Sequence, residues 1–305
     1  MIIVTQGHEN GIGIEVFLKS FLMLSREEKK EIKFFVNKED FNKNLIDLKL
    51  DLLFFKDLLI EYVPTIPDAP SSTSTLIKAL ENIKADDILV TLPTAKDQLV
   101  FNKVYCAGYT EFFRNYFNSP NIAMTFKGLT QNLLLITDHI AIKDVPIFIS
   151  QDLIINKIET ALKFYAKYFY KIDEVIISGI NPHVGENGIL GNEDNIILPA
   201  INILKKSFSD INFIGPLSGD TLHMHEQKNI KQLYVYMFHD QGLAPFKAQH
   251  GLIGLNISIG LPFLRLSVDH GTAPGLYGKN KANLSGMLFL LKQAFGVTYY
   301  VNQRN

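Results

Sequence analysis

Apolar residues along this chain alternate between short continuous runs and longer stretches with helical spacing. IIVT (2–5) precedes a glycine turn and then IEVFLKSFLML (14–24), whose apolar positions recur with the helical period. DDILVT (86–91), EVIISG (174–179), INFIGP (211–216), QLYVYM (232–237), GLNISIG (254–260) and LRLSV (264–268) predict strands. DLIINKIETALKFYAKYFYK (152–171) predicts a long helix, with apolar residues at 154, 155, 158, 161, 162, 165, 168 and 169. DNIILPAINILKKS (194–207) predicts another despite its interior Pro199, and ANLSGMLFLLKQAF (282–295) predicts the last. Alternating strands and helices predict an α/β fold with a largely parallel sheet. The pattern over 36–80 is mixed, and PTIPDAPSSTST (64–75), rich in Pro, Ser and Thr, reads as a surface loop that could pass for a linker.

Composition narrows the class without choosing a function. With 305 residues, 47% hydrophobic and 20% charged, the chain is that of an ordinary globular protein large enough for two domains. A formal net charge of -1 gives no global bias toward nucleic acid or acidic membranes, and basic patches interleaved with aromatics are missing. Cys106 is the only cysteine, which excludes an intrachain disulfide. The N-terminal MIIVTQGHENGIG carries no basic n-region, and no apolar segment reaches a membrane-spanning length. The expectation is a cytoplasmic, reducing location.

Ligands of parallel α/β proteins bind beyond the carboxyl ends of the strands, so the residues after each apolar run carry the candidate chemistry. LLLIT leads to Asp138 and His139; VIISGI to Asn181, Pro182 and His183; YVYMF to His239, Asp240, Gln241 and Gly242; LRLSV to Asp269 and His270. His139, His183 and His239 are 44 and 56 residues apart, which excludes a zinc finger and fits metal ligands supplied by separate strands. A histidine after a strand is also commonly a loop residue, so spacing alone leaves both readings open. His223 and His225 lie in TLHMHEQKN, which reads as a solvated loop, and His8 and His250 read as turn residues.

Lys96, Lys247 and Arg265 sit among apolar residues and glycines, where an unpaired cation is costly. An anionic substrate or an internal salt bridge would compensate each. Nucleotide motifs are nearly absent: there is no G-x-G-x-x-G and no Walker A, and GENGILG (185–191) is a glycine loop of low specificity ahead of a helix. FHDQGLAPFK (238–247) reads as one metal ligand and one anion anchor joined by a glycine turn.

Taken together, SGINPHVGENGILGNED, IGPLSGDTLH, MFHDQGLAPFK, LNISIGLPFLRLSVDHGTA and KANLSGM follow the order and spacing of the 4-hydroxythreonine-4-phosphate dehydrogenase family of pyridoxal phosphate biosynthesis. The chain resembles that family densely over 135–290, with GHENGIG, TLPTAK and GYTEFF as islands before it. The resemblance implies an isocitrate/isopropylmalate dehydrogenase-like fold of two α/β/α domains with a cleft between them, here 1–125 plus 258–305 and 126–257. It implies a homodimer with its active site shared across the interface, and a divalent metal (zinc, magnesium or cobalt) on His139, His183 and His239. It implies substrate contacts at Tyr109, Thr110, Lys247, Asn256 and Arg265, and catalytic roles for Asp220, as a proton-transfer candidate, and Lys247. NAD or NADP would meet Lys96, Asp240, Gln241, Asp269 and His270, with Asp240 and Gln241 alternatively supporting the metal-bound histidine.

Three departures bear on substrate. Tyr109 stands where the family usually has the histidine of GHTEF, and a tyrosine is neutral near pH 7. The first turn reads QGHENGIG rather than PGEPxGIG, and SGD (218–220) replaces PAD. The implied reaction is oxidation of 4-phosphohydroxy-L-threonine, followed by decarboxylation. The alternatives are a paralogue oxidising another four-carbon hydroxy-acid phosphate, such as threonate 4-phosphate, and a phosphate acyltransferase-like enzyme, which has no need of three histidines.

Overall fold

The structure is a computed structural model and describes residues 1–225 and 231–302; the end of the TLHMHEQKN loop lies outside the described residues. The chain opens with β1 (Ile2–Thr5), α1 (Gly13–Leu22), α2 (Arg26–Lys30), β2 (Ile32–Val36), α3 (Lys38–Leu48), β3 (Leu59–Tyr62), α4 (Ser71–Asn82) and β4 (Ile88–Thr91). A small hairpin of β5 (Val100–Phe101) and β6 (Val104–Tyr105) precedes α5 (Tyr109–Tyr116). Next come β7 (Ala123–Lys127), β8 (Asn132–Leu135), α6 (Val145–Phe148), α7 (Gln151–Tyr168), β9 (Glu174–Ser178), α8 (Ile197–Ser207), β10 (Asn212–Leu217), β11 (Gln232–Tyr236), α9 (His239–His250) and β12 (Leu255–Ile259). β13 (Leu264–Val268) and α10 (Ser285–Asn302) complete the chain.

The residues cluster into two compact units, Met1–Pro120 with Leu261–Asn305, and Asn121–Gly260. In the first, strands in the order β13-β4-β1-β2-β3 are all parallel. Every residue of β1, β4 and β13 is buried, as expected of parallel strands covered on both faces. An aromatic cluster fills the space under α1 and α3, with the Phe17 and Phe34 ring centroids 4.7 Å apart.

The second unit has strand order β10-β9-β11-β8-β7-β12. Its first four strands are parallel, whereas β7 runs antiparallel to both β8 and β12. The physical reason is connection length: only residues 128–131 join β7 to β8, closed by a 2.8 Å bond from Gly128 N–H to the Gln131 carbonyl, and so short a link cannot make a parallel crossover. The long helix predicted over 152–171 is α7, capped by the Ser150 hydroxyl, and it buries Ile154, Ile158, Ala161, Leu162 and Tyr165. Pro199 falls at the third residue of α8, where a helix has no use for its N–H.

Two sequence expectations fail. SSTST (71–75) is not a loop but the first turn of α4, with Ser72, Thr73, Ser74 and Thr75 buried. The Ser72 and Thr73 hydroxyls donate to the Gln98 carbonyl at 2.6 and 2.7 Å, so these residues turn inward to serve backbone groups that polarity alone would have left in water. FHDQGLAPFK contains no glycine turn: 239–250 is α9, and Gly242 and Pro245 lie inside it. A Cβ at Gly242 would come 2.9 Å from both Leu133 and Tyr236, so the glycine is there to let the helix press on β8 and β11.

Candidate functional site

In the second unit, three adjacent parallel strands present their carboxyl ends side by side in the order β9-β11-β8. β8 and β11 pair Leu135 with Tyr236, and bonds from Ile136 N–H to the Tyr236 carbonyl and from Thr137 N–H to the Met237 carbonyl prolong the ladder. That register carries His139 and His239 out together, with ring centroids 5.4 Å apart. His239 is the first residue of α9, and its Nδ1 lies 3.3 Å from Asp240 Oδ1. Two exposed or half-exposed imidazoles at this distance form a donor pair suited to a divalent transition ion.

His183 follows β9, on the other side of β11, and does not join that pair. Among the described residues, no group of three His, Cys, Asp or Glu gathers in a way that could hold a metal ion. His183 instead lines an open pocket of about 500 Å³ with Ser218, Asp220, His223, Asp240 and Gln241. His223, which the sequence pattern assigns to a solvated loop, thus belongs to the pocket; the signal that could have found it is its place soon after β10, among the polar strand ends. Ser218 Oγ donates to Asp220 Oδ1 at 2.7 Å, and this bond, with His183 adding a smaller contribution, holds the Asp220 carboxyl below the usual range. An exposed carboxylate is ionised at neutral pH and can accept a proton, orient water or meet a cation.

The backbone that carries His183 is strained. His183, Val184, Gly185, Glu186 and Asn187 all have positive φ, at 50°, 56°, 76°, 43° and 58°. Four of the five are not glycine, and for β-branched Val184 this region is a true outlier. Buried Asp194 anchors the turn: its carboxylate accepts from Ile180 N–H at 2.6 Å, Asn181 N–H at 3.1 Å and the Asn181 side chain at 3.0 Å. The glycine loop over 185–191 therefore does not simply lead into a helix; it holds a histidine on a pocket rim.

Gln241 reaches back from the first turn of α9. Its Oε1 accepts from Met237 N–H at 2.8 Å and from Ser178 Oγ at 3.0 Å, while Nε2 donates to the Gly179 carbonyl at 2.8 Å. Lys247, eight residues beyond His239, lies about 12 Å along the helix and is exposed. Asn256 is half-buried on β12, opposite Phe126 of β7.

In the first unit, Arg265 on β13 is 1% exposed, and its Nε and one terminal nitrogen donate to Thr91 Oγ1 at 3.1 and 2.5 Å. The Tyr109 ring covers its guanidinium at 4.6 Å and Phe113 lies 5.7 Å away. Tyr109 donates its hydroxyl to the Leu92 carbonyl at 2.8 Å. Next to it in the first turn of α5, Thr110 Oγ1 is buried without a partner. Burial pushes the Tyr109 phenol up to about 12, with Arg265 opposing, and lowers the Arg265 guanidinium to about 10. The result is a buried cation under a neutral ring, and the residue after that ring's own, Thr110, carries an unpartnered buried hydroxyl in the first turn of α5.

Lys96 is exposed in a short turn before β5, and Asp269 and His270 directly follow β13. His270 Nε2 is buried without a partner, while its Nδ1 meets the Gly271 carbonyl at 3.0 Å. His8 closes a turn by accepting from Asn10 N–H at 3.0 Å, and His250 packs on the Phe246 ring at 4.5 Å.

Residues 25–294 match the family described as pyridoxal phosphate biosynthetic protein PdxA. A 4-hydroxythreonine-4-phosphate dehydrogenase of a Sulfurihydrogenibium species is 32% identical over 310 residues, covering 93% of this chain and 94% of that protein. A protein of Oceanobacillus iheyensis, named provisionally as a D-threonate 4-phosphate dehydrogenase, is 29% identical over 319 residues, covering 95% and 96%. A crystal structure of the 4-hydroxythreonine-4-phosphate dehydrogenase of Burkholderia phymatum superposes with a TM-score of 0.74 at 25% identity, covering 96% and 97% of the two chains. The isocitrate dehydrogenase of Methylococcus capsulatus shares the fold at a TM-score of 0.50 and 13% identity, covering 99% and 88%. The expected isocitrate dehydrogenase-like α/β architecture is the one observed.

Proposed function

The chain belongs to the PdxA family of pyridoxal phosphate biosynthetic proteins, and from that premise we propose that it is a dehydrogenase of 4-hydroxythreonine 4-phosphate in pyridoxine 5′-phosphate biosynthesis. The product would be 2-amino-3-oxo-4-phosphobutanoate, a β-keto acid that loses carbon dioxide to give 3-amino-2-oxopropyl phosphate. The single observation that carries the reading is the family match over 25–294, which takes in the paired His139 and His239.

Residue roles follow from chemistry at each place. Arg265 and Thr110 bind an anionic end of the substrate, Lys247 and Asn256 the other polar groups, and Asp220, ionised beside Ser218, orients the water or proton acceptor near His183. Lys247 also serves the catalytic step as a fixed positive charge. His139 and His239 would hold a divalent ion (zinc, magnesium or cobalt), which when bound supplies Lewis acidity toward the substrate hydroxyl. In one chain His183 stands apart from that pair, so we read the set of three as completed between two copies of the chain. Exposed Ile142, Ile147 and Phe148 after His139, and Ile189 and Leu190 after His183, support a homodimer that covers them. NAD or NADP supplies the hydride acceptor, with Lys96, Asp240, Asp269 and His270 as its contacts and the orphaned His270 Nε2 as a donor or acceptor toward it. No helix among the described residues is long and apolar enough to cross a membrane, and we assign the protein to the cytoplasm with its pathway.

A second reading, oxidation of threonate 4-phosphate, is kept open by Tyr109 in place of the usual histidine and by the likeness to the Oceanobacillus iheyensis protein. Both are tested by supplying the zinc- or magnesium-loaded protein with NAD or NADP and each phosphate ester, and following reduced cofactor at its absorbance. The better ester names the substrate. No metal-dependent reduction with either would reject both readings and leave acyl transfer as the survivor.

A further inference from the structure

Gln241 lines the pocket, yet its amide is directed into the protein. Oε1 accepts from Met237 N–H at the end of β11 and from Ser178 Oγ at the end of β9; Nε2 donates to the Gly179 carbonyl, the next residue of that same end. The end of β10 is packed on the amide too, because a Cβ built on Gly219 would lie 2.4 Å from Gln241 Nε2. Gly219 therefore cannot be a larger residue unless the amide lets go. Phe238 provides no side-chain cap to α9, so Gln241, the third residue of the helix, takes over the reach-back that a capping box normally performs and applies it across three strands.

Each of those three strand ends carries a functional candidate within a few residues. β9 leads through Ser178 and Gly179 to the strained turn of His183; β10 leads through Gly219 to Asp220; β11 leads through Met237 to His239. The other side-chain ties each hold one end alone, Asp194 at Ile180 and Asn181 after β9 and the Thr137 hydroxyl at the Met237 carbonyl after β11, and the ladder between β9 and β10 is irregular between Ile214 and Leu217. We propose that Gln241 is a positioning residue: a single amide that locks the ends of β9, β10 and β11 into one arrangement and so sets where His183, Asp220 and His239 stand. This replaces a direct cofactor contact as the role of Gln241. It rests on the dehydrogenase reading for its kinetic arm only.

The test compares Gln241→Met, which keeps length and removes all three bonds, with Gln241→Glu, which keeps the acceptor toward Met237 and Ser178 but opposes the Gly179 carbonyl. Gly219→Ala disturbs the amide from the other side without altering it. Hydrogen exchange of the full chain should quicken at Met237 and over the segment 179–183 in Gln241→Met and in Gly219→Ala, with the first unit unchanged. In turnover, kcat should fall roughly 10- to 100-fold in Gln241→Met, less in Gln241→Glu, while KM for the nicotinamide cofactor stays within about 2-fold of wild type. Unchanged exchange in both Gln241→Met and Gly219→Ala overturns the proposal. So does a rise in cofactor KM at constant kcat, which would make Gln241 a cofactor contact. If the wild-type chain reduces no cofactor with any ester, the functional reading fails while the exchange measurement still decides the clamp.

Discussion

The Arg265 guanidinium lies 4.6 Å from the centroid of the Tyr109 ring, and Tyr109 is held there by its hydroxyl on the Leu92 carbonyl. Thr91, the neighbour of Leu92, accepts from the same guanidinium. Consecutive residues at the end of β4 thus fix both members of the stack. Tyr109 consequently meets Arg265 with its face, and its one hydroxyl proton is directed to the backbone.

The stack makes the two halves of Tyr109 separable. Tyr109→Ala should raise KM for the phosphorylated substrate roughly 5- to 30-fold, as a partly desolvated cation–π contact of about 1–2 kcal/mol is lost. Tyr109→Phe keeps the ring, so KM should change by less than about 3-fold while folding stability drops by about 1 kcal/mol with the Leu92 bond. Steady-state kinetics and urea unfolding of the two variants check this. Equal KM in Tyr109→Ala and wild type would show that Arg265 holds its place unaided.

The charge state of the pair predicts a pH response. With Arg265 lowered to about 10 and Tyr109 raised to about 12, the pair is a cation and a neutral phenol at neutral pH. Raising pH through about 10 removes the Arg265 proton from the folded chain before the unfolded chain loses its own. Anion affinity therefore falls in that window, while the penalty of burying the charge is relieved and this group's contribution to stability rises with pH. Inhibition by sulfate, whose charge is constant there, should weaken above about pH 10 through this group and show no such step at neutral pH.

The separation of His183 from the His139–His239 pair predicts complementation between subunits. His139→Ala and His183→Ala should each lose bound metal and activity while keeping the far-ultraviolet dichroism of the wild type. Mixed after subunit exchange, the two inactive proteins should regain activity, because one of the two sites in a mixed dimer would then have all three imidazoles intact. Persistent inactivity of the mixture, with mixed dimers present, would return the whole set to one chain.

Strain in the His183 turn has its own signature. Val184→Gly should stabilise the chain by up to about 1 kcal/mol, since a left-handed β-branched residue costs roughly 1–2 kcal/mol and the added freedom of glycine in the unfolded chain offsets part of it. Gly185→Ala should destabilise it, because a Cβ there would stand 2.4 Å from the Gly191 carbonyl oxygen at a φ of 76°. Denaturant unfolding of both variants reads the difference in sign.

Much of this molecule was legible in its sequence. The buried runs 2–5, 88–91, 174–178, 232–236 and 264–268 are strands, and 151–168 is a helix, because side-chain period and burial are local properties of a pattern. The polar residues after those runs were found for the same reason: parallel strands end on the same side, so strand ends identify candidates without coordinates. Tertiary structure decided what local pattern cannot hold. Whether Gly242 breaks a helix or lets it pack depends on Leu133 and Tyr236, more than a hundred residues away and a few residues away respectively. Whether SSTST is a loop depends on the carbonyl of Gln98 that its hydroxyls reach. Which histidines become neighbours depends on the register of β8 against β11, and strand register is fixed by packing across the sheet, not by the residues of either strand alone.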